Sequence, residues 1–138
     1  MSMQETGISE YAFLFTDETL RLIAKKLFSD YTDEKYNKAM GLYVYDIKEK
    51  LSLNYEGEFT GSTYPLKEDG CPDFFSEDNY SSNILLYLPL EKEISLFKTS
   101  YKNMEEVVSE IRNKIGDYLP DDYNYRKNIC LICGTYYG

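Results

Sequence analysis

The sequence contains no histidine at all. That one absence removes Ser–His–Asp and Cys–His catalysis, the zinc-protease helix signature and any imidazole proton shuttle. It also removes the commonest neutral metal ligand. Cysteine is scarce: Cys71, Cys130 and Cys133 are too few, and odd in number, for a disulfide framework. Long apolar runs are missing too. The longest, Ile84 to Leu88, is strand-sized and far short of the ~20 residues of a membrane span. Residues Met1 to Glu10 carry neither a basic flank nor an apolar stretch of signal-peptide length, so a cytoplasmic location is expected. No glycine-rich phosphate loop occurs, because Gly57 and Gly61 lack the lysine and helix that a P-loop requires.

What is present is an acidic, aromatic chain. The 138 residues carry a net charge of −9, are 43% hydrophobic and include 15 tyrosines, a composition that packs a core and does not stay disordered. The length predicts one domain, residues 1–138. Acidity repels nucleic acid and anionic membrane and attracts basic partners, although many proteins are acidic merely to remain soluble.

The periodicities predict a first strand over Ile8–Phe15 and a helix from Asp17 to Ser29, capped by Thr16 and burying Leu20, Ile23 and Leu27. Thr32 caps a shorter helix that Gly41 would end. Leu42–Ile47 reads as a strand turning at Lys48–Lys50, and Leu51–Phe59 as its half-buried partner. From Thr60 to Ser82, where Gly61, Pro65, Gly70 and Pro72 punctuate the chain, regular structure is not expected. Strands resume at Asn83–Leu88 and Ile94–Lys98. A helix over 103–115, with Asn103 and Glu106 as its cap pair, buries Val107, Val108, Ile111 and Ile115. A polar loop, Asp117–Asn128, leads to a last strand, Ile129–Tyr137. Strands grouped between helices predict an α+β fold: an antiparallel sheet of about five strands with two main helices packed on one face.

Cys130-Leu-Ile-Cys133 has C-x-x-C spacing, but redox use needs the first cysteine at a helix N-terminus. In a strand these two thiols point to opposite faces, and Cys71 adds too little for a zinc site. Buried structural cysteines are expected, with no metal and no cofactor. Carboxylate pairs such as Glu56 with Glu58, Glu91 with Glu93 and Asp121 with Asp122 could serve a glycosidase. Such pairs arise by chance among 24 acidic residues, and no catalytic role is expected.

Two acid–aromatic stretches remain. The first holds Glu68, Asp69, Asp73, Glu77 and Asp78 interleaved with Phe74, Phe75 and Tyr80, and has no base. The second holds Asp117, Asp121 and Asp122 beside Tyr123 and Tyr125. Acid around aromatic anchors suits docking onto a basic protein surface. For Phe74 and Phe75, packing over a sheet edge is an equal alternative. In size, acidity and tyrosine content the chain resembles the immunity proteins of bacterial polymorphic and contact-dependent toxin systems. That resemblance implies a stoichiometric inhibitor of a basic toxin domain such as a nuclease. Rival readings are a nucleic-acid mimic acting on a restriction or CRISPR nuclease, a small carboxylate enzyme, and a non-catalytic subunit or adaptor of a larger complex.

Overall fold

Thr16 sets the first boundary, its hydroxyl accepting the Thr19 N–H at 3.4 Å where the extended chain turns into α1, Asp17–Leu27. The computed structural model describes residues 5–68, 70–82, 85–90 and 104–137. The expected strand at Ile94–Lys98, the capping residue Asn103, the Glu91–Glu93 pair and Asp69 lie outside them. Acids in the first turn and lysines in the last complement the dipole of α1. Thr32 caps α2, Asp33–Lys38, through the Lys35 N–H at 3.1 Å.

The expected hairpin at 42–50 is not formed: Met40–Leu51 is a helix, α3, and Gly41 lies inside it. Tyr43, Tyr45 and Ile47 alternate as a strand would, but Val44, Ile47 and Leu51 also recur at helical spacing. The structure follows the second pattern, burying Val44 and Ile47. Lys48–Lys50 lacks the glycine or asparagine that stabilises a two-residue turn, so nothing favours the hairpin locally. The Tyr43 ring packs edge-on against Phe28 at 5.1 Å, which ties α3 to the end of α1. The fourth helix, α4, spans Met104–Ile115 and buries Val107, Ile111 and Ile115 as expected. Leu27 and Val108 are only partly buried.

The strands are β1 (Glu5–Leu14), β2 (Asn54–Glu56), β3 (Glu58–Pro65), β4 (Asp78–Ser82), β5 (Leu85–Pro89) and β6 (Ile129–Tyr137). They pair antiparallel in the order β2-β5-β1-β6-β3-β4, giving the α+β class. β3 and β4 correct the expectation of an irregular 60–82. Thr60, Thr63 and Tyr64 are strand formers, and Gly61 sits in the strand for a packing reason, so Glu58–Pro65 and Asp78–Ser82 are strands.

β2 and β3 stand far apart in that order, yet only Gly57 separates them in the chain. Asn54 opposes Tyr87, Glu56 opposes Leu85, Phe59 opposes Ser82 and Thr63 opposes Asp78, so the two ladders share one register. Thus 54–65 is a single bent strand whose start pairs with β5 and whose end pairs with β6, and the sheet curls around on itself. Inside the curl lie Ala12, Leu14, Phe59, Leu85, Tyr87, Cys130 and Ile132. Alternate residues of the same strands, Phe13, Phe15, Leu86, Leu88 and Ile129, face outward and share a cluster with residues of all four described helices.

The tightest point of the curl is the pairing of Gly61 with Gly134. A Cβ on Gly61 would lie 2.3 Å from the Cys133 carbonyl oxygen and 2.8 Å from Cζ of Phe59. The Phe59 ring therefore covers the space that two side chains would otherwise fill, as aromatics do over sheet glycines.

Candidate protein-binding surface

The first acid–aromatic stretch is an ordered projection from the end of β3. Leu66 and Pro72 form a β-bridge, and the Asp73 N–H returns to the Pro65 carbonyl at 2.8 Å. The Asp73 carboxylate then accepts the Phe75 N–H at 3.1 Å and the Ser76 hydroxyl at 3.0 Å, capping a 3-10 turn, Phe74–Ser76. Phe74 leans edge-on against Tyr64 at 5.1 Å and remains 61% exposed. Phe75 is wholly in solvent, at 102% relative exposure. Packing over the sheet edge is thereby excluded for Phe75 and holds only in part for Phe74.

Around this turn the acids divide by role. Asp73 is a cap, Glu77 accepts the Ser62 hydroxyl, and Asp78 is exposed at the start of β4. Glu68 pairs with Arg126 at 2.8 Å, which links this projection to the second stretch. Tyr80 is not a free anchor. Its ring packs 6.0 Å from Phe59 at the rim of the inner cluster, and burial raises its phenol pKa.

In the second stretch Asp117, Asp121 and Asp122 are exposed, as expected. Tyr123 and Tyr125, expected as contact residues, are buried in the core instead. The Tyr123 hydroxyl accepts from Asn128 Nδ2 at 2.6 Å and shares a hydrogen bond with Thr19, while Asn128 also donates to Thr19 Oγ1 at 2.9 Å. This buried triad fastens the loop to α1. Burial is the main reason the Tyr123 pKa is raised. Tyr125 stacks against Phe13 and Tyr123, with the Arg112 guanidinium 5.4 Å from its ring centre. Arg126 and Lys127, the latter paired with Glu18 at 3.2 Å, interrupt the acidic surface between the two stretches. Such exposed pairs contribute ~0–1 kcal/mol each.

A second exposed apolar group went unread in the sequence. Leu42 is 71% exposed, and Tyr45 and Met40 on the same helix are also open. The strand expected over 42–47 would place Leu42 and Tyr45 on a sheet, whereas the helical period turns both outward; Met40, expected in the shorter helix, lines a cavity with Val44. Two cavities lie beside β4. One, of ≈ 300 Å³, is lined by Phe15, Leu20, Met40, Val44 and Tyr80–Ser82. The other, of ≈ 340 Å³, is lined in part by Leu14, Thr63, Asp78–Tyr80 and Asn128.

The cysteines do not meet. Cys130 lies in the inner cluster, its thiol pKa pushed up to about 12 by burial and then by Cys133. Cys133 is on the opposite face, 3.6 Å from Ser9 Oγ, and is half-buried, as is Cys71. Among the described residues no three His, Cys, Asp or Glu side chains are grouped to hold a metal, and no helix is long and apolar enough to cross a membrane. Compared with protein-family models, curated proteins and solved structures, the chain matches none.

Proposed function

We propose that the chain works by binding: it is a stoichiometric inhibitor of a basic partner domain, of the kind immunity proteins present to nuclease toxins. The observation that carries this reading is Phe75, a fully exposed aromatic ring on a turn held by its own carboxylate cap. A ring in solvent forgoes roughly 1.5–3 kcal/mol of burial that a partner would supply. The turn is already ordered, so little entropy is lost on docking. Glu77 and Asp78 near it attract a cationic surface and speed encounter. The ion pairs of Arg126 and Lys127 break the acidic surface into islands, which supports a protein partner over mimicry of a regular phosphate row.

The test is capture from the native host followed by kinetics on the captured partner. Phe75→Ala should speed dissociation and cost ~2 kcal/mol or more of affinity. Asp78→Lys with Asp121→Lys should slow association and flatten its salt dependence, leaving the thermal midpoint nearly unchanged. An association rate untouched by charge reversal in both stretches would refute the steering role. Turnover of a substrate by the purified protein, with no basic partner captured, would refute binding as the primary function.

A further inference from the structure

Helix α1 carries three cations, Arg21, Lys25 and Lys26, on a chain where acids outnumber bases 24 to 15. Their surroundings differ. Arg21 is matched to Asp17 at 2.7 Å and to Asp33 at 3.7 Å, and it also donates to Asn37. Lys25 and Lys26 are exposed in the last turn, and among the described residues neither makes an ion pair or a side-chain hydrogen bond. The helix dipole accounts for cations at that end of α1. It does not account for the hollow they border.

Two cavities of ≈ 420 Å³ each adjoin along this helix and share Leu22 and Lys25. In the first, charge is closed on itself. Glu18 is held by Lys127, and Asp33 by Arg21 and by the Tyr31 hydroxyl at 2.6 Å. The second is lined by Leu22, Lys25, Lys26, Tyr118, Leu119 and Pro120, and among the described residues none of its walls is acidic. Asp117 and Asp121 flank this stretch in sequence, but neither lines the cavity or pairs with a lysine. Its floor belongs to the core: Leu119 is buried, and Leu22 and Tyr118 pack against the outer cluster. Its far wall is held by a 3-10 turn, Gly116–Tyr118, which the Leu119 N–H closes onto the Gly116 carbonyl at 3.3 Å.

We propose that this second cavity binds a small amphipathic anion. An apolar body sits on Leu22, Tyr118 and Leu119, and its carboxylate or comparable head is held by Lys25 and Lys26. Small-ligand sites are hollows of roughly 300–1,000 Å³, mostly apolar with a few placed polar groups, and this cavity has that size and that lining. The apolar body is needed, because exposed ammonium groups alone hold an anion weakly. Charge sets the size of the ligand. A chain of net charge −9 repels an extended polyanion or an anionic membrane, whereas a single head beside two lysines lies within the ~8 Å over which their attraction survives physiological salt. The site stands apart from the partner-binding surface proposed above, since Phe75 takes no part in it.

The probe is decanoate, with decanol and decyltrimethylammonium as the same chain bearing a neutral and a cationic head. Isothermal titration calorimetry reads binding, and hydrogen exchange by mass spectrometry reads its place. Decanoate should bind once per chain, at least about tenfold more tightly than either control. It should slow exchange at 116–120 and leave 73–82 unchanged. Lys25→Ala with Lys26→Ala should weaken decanoate by about tenfold and leave decanol unaffected. The thermal midpoint should not move, because both side chains are exposed. Equal binding of all three chains overturns recognition of the head. Decanoate binding that survives the double substitution, or protection elsewhere than 116–120, overturns the site. So does the absence of binding at millimolar decanoate. Sedimentation with phosphatidylglycerol vesicles that the double substitution abolishes, without binding of free decanoate, assigns the two lysines to a membrane surface instead. None of these outcomes touches the role of Phe75, which partner kinetics test separately.

Discussion

Gly61→Ala tests whether the closure of the sheet depends on the glycine pair at its tightest point. The new methyl would lie 2.3 Å from the Cys133 oxygen, 2.7 Å from Gly134 Cα and 2.8 Å from Phe59 Cζ. Contacts between carbon atoms are most favourable at ≈ 3.5–4.0 Å, so each falls short by about an ångström. Two of the three atoms are backbone and yield only if β3 moves away from β6. The third belongs to a ring with no exposed surface, which has nowhere to swing. Overpacking a core costs ~1–3 kcal/mol, and displacing a buried Phe costs ~3–5 kcal/mol, so a loss of ~3 kcal/mol or more is expected. For a domain of this size that lowers the thermal midpoint by on the order of 10 °C. Urea and thermal unfolding followed by circular dichroism measure it. Gly7→Ala is the control, since nothing lies within 4 Å of its Cβ position. Adding Phe59→Leu to Gly61→Ala relieves the ring contact but neither backbone contact, so it should recover only part of the loss. A Gly61→Ala protein within ~0.5 kcal/mol of the parent, the range of neutral surface changes, refutes the reasoning. Full recovery on adding Phe59→Leu refutes the backbone part of it.

Alkaline pH should unfold the protein through two buried acids. The Cys130 thiol and the Tyr36 phenol both hold their protons to about 12, chiefly because burial disfavours their charged forms, whereas the unfolded chain loses them from near 9 and 10. Their raised pKa values mean full stability below pH 9 and a decline of ~1.4 kcal/mol per unit for each group as pH climbs toward 12. Urea midpoints measured from pH 8 to 11 should show this fall, and Tyr36→Phe should make it shallower. Tyr123→Phe removes the hydroxyl shared by Thr19 and Asn128 and should cost ~1–3 kcal/mol in equilibrium unfolding without weakening partner binding. Weakened binding at unchanged stability would return Tyr123 to the contact surface.

Much of the fold was legible where one periodicity stood alone. α1 announced itself through Thr16, two acids and an apolar stripe, and α4 through Val107, Ile111 and Ile115. Legibility failed where two patterns overlapped. Over 42–51 the strand and helix readings shared Ile47, and only packing of Val44 and Tyr43 against neighbouring elements decides between them. It failed again at β3, where Gly61 looks like a breaker until Phe59 is placed across it. The binding surface divided in the same way. Asp73, read only as a contact acid, is a cap, and Phe75, read equally as anchor or edge packing, is an exposed ring. Tyr123 and Tyr125 went inward because Thr19 and Asn128, more than a hundred residues apart, converge on one hydroxyl. No local pattern encodes such a meeting.

β6 is the last strand in chain order, yet it lies between β1 and β3, with Glu5 opposite Tyr137 at its far end. The consequence concerns when the protein becomes itself. Helices α1 to α3, and the pairings of β2 with β5 and of β3 with β4, are joined by contacts near in sequence and can form early. The inner cluster draws Ala12 and Leu14 from β1, Phe59 from β3, and Cys130 and Ile132 from β6, so it cannot assemble before β6 has emerged. Closing a loop across almost the whole chain is slow, as in other folds dominated by distant pairings. The turn that carries Phe75 hangs from β3, and β3 is held along its length by β6. A chain without β6 in place thus leaves the Phe75 turn on a strand whose one long flank is unpaired.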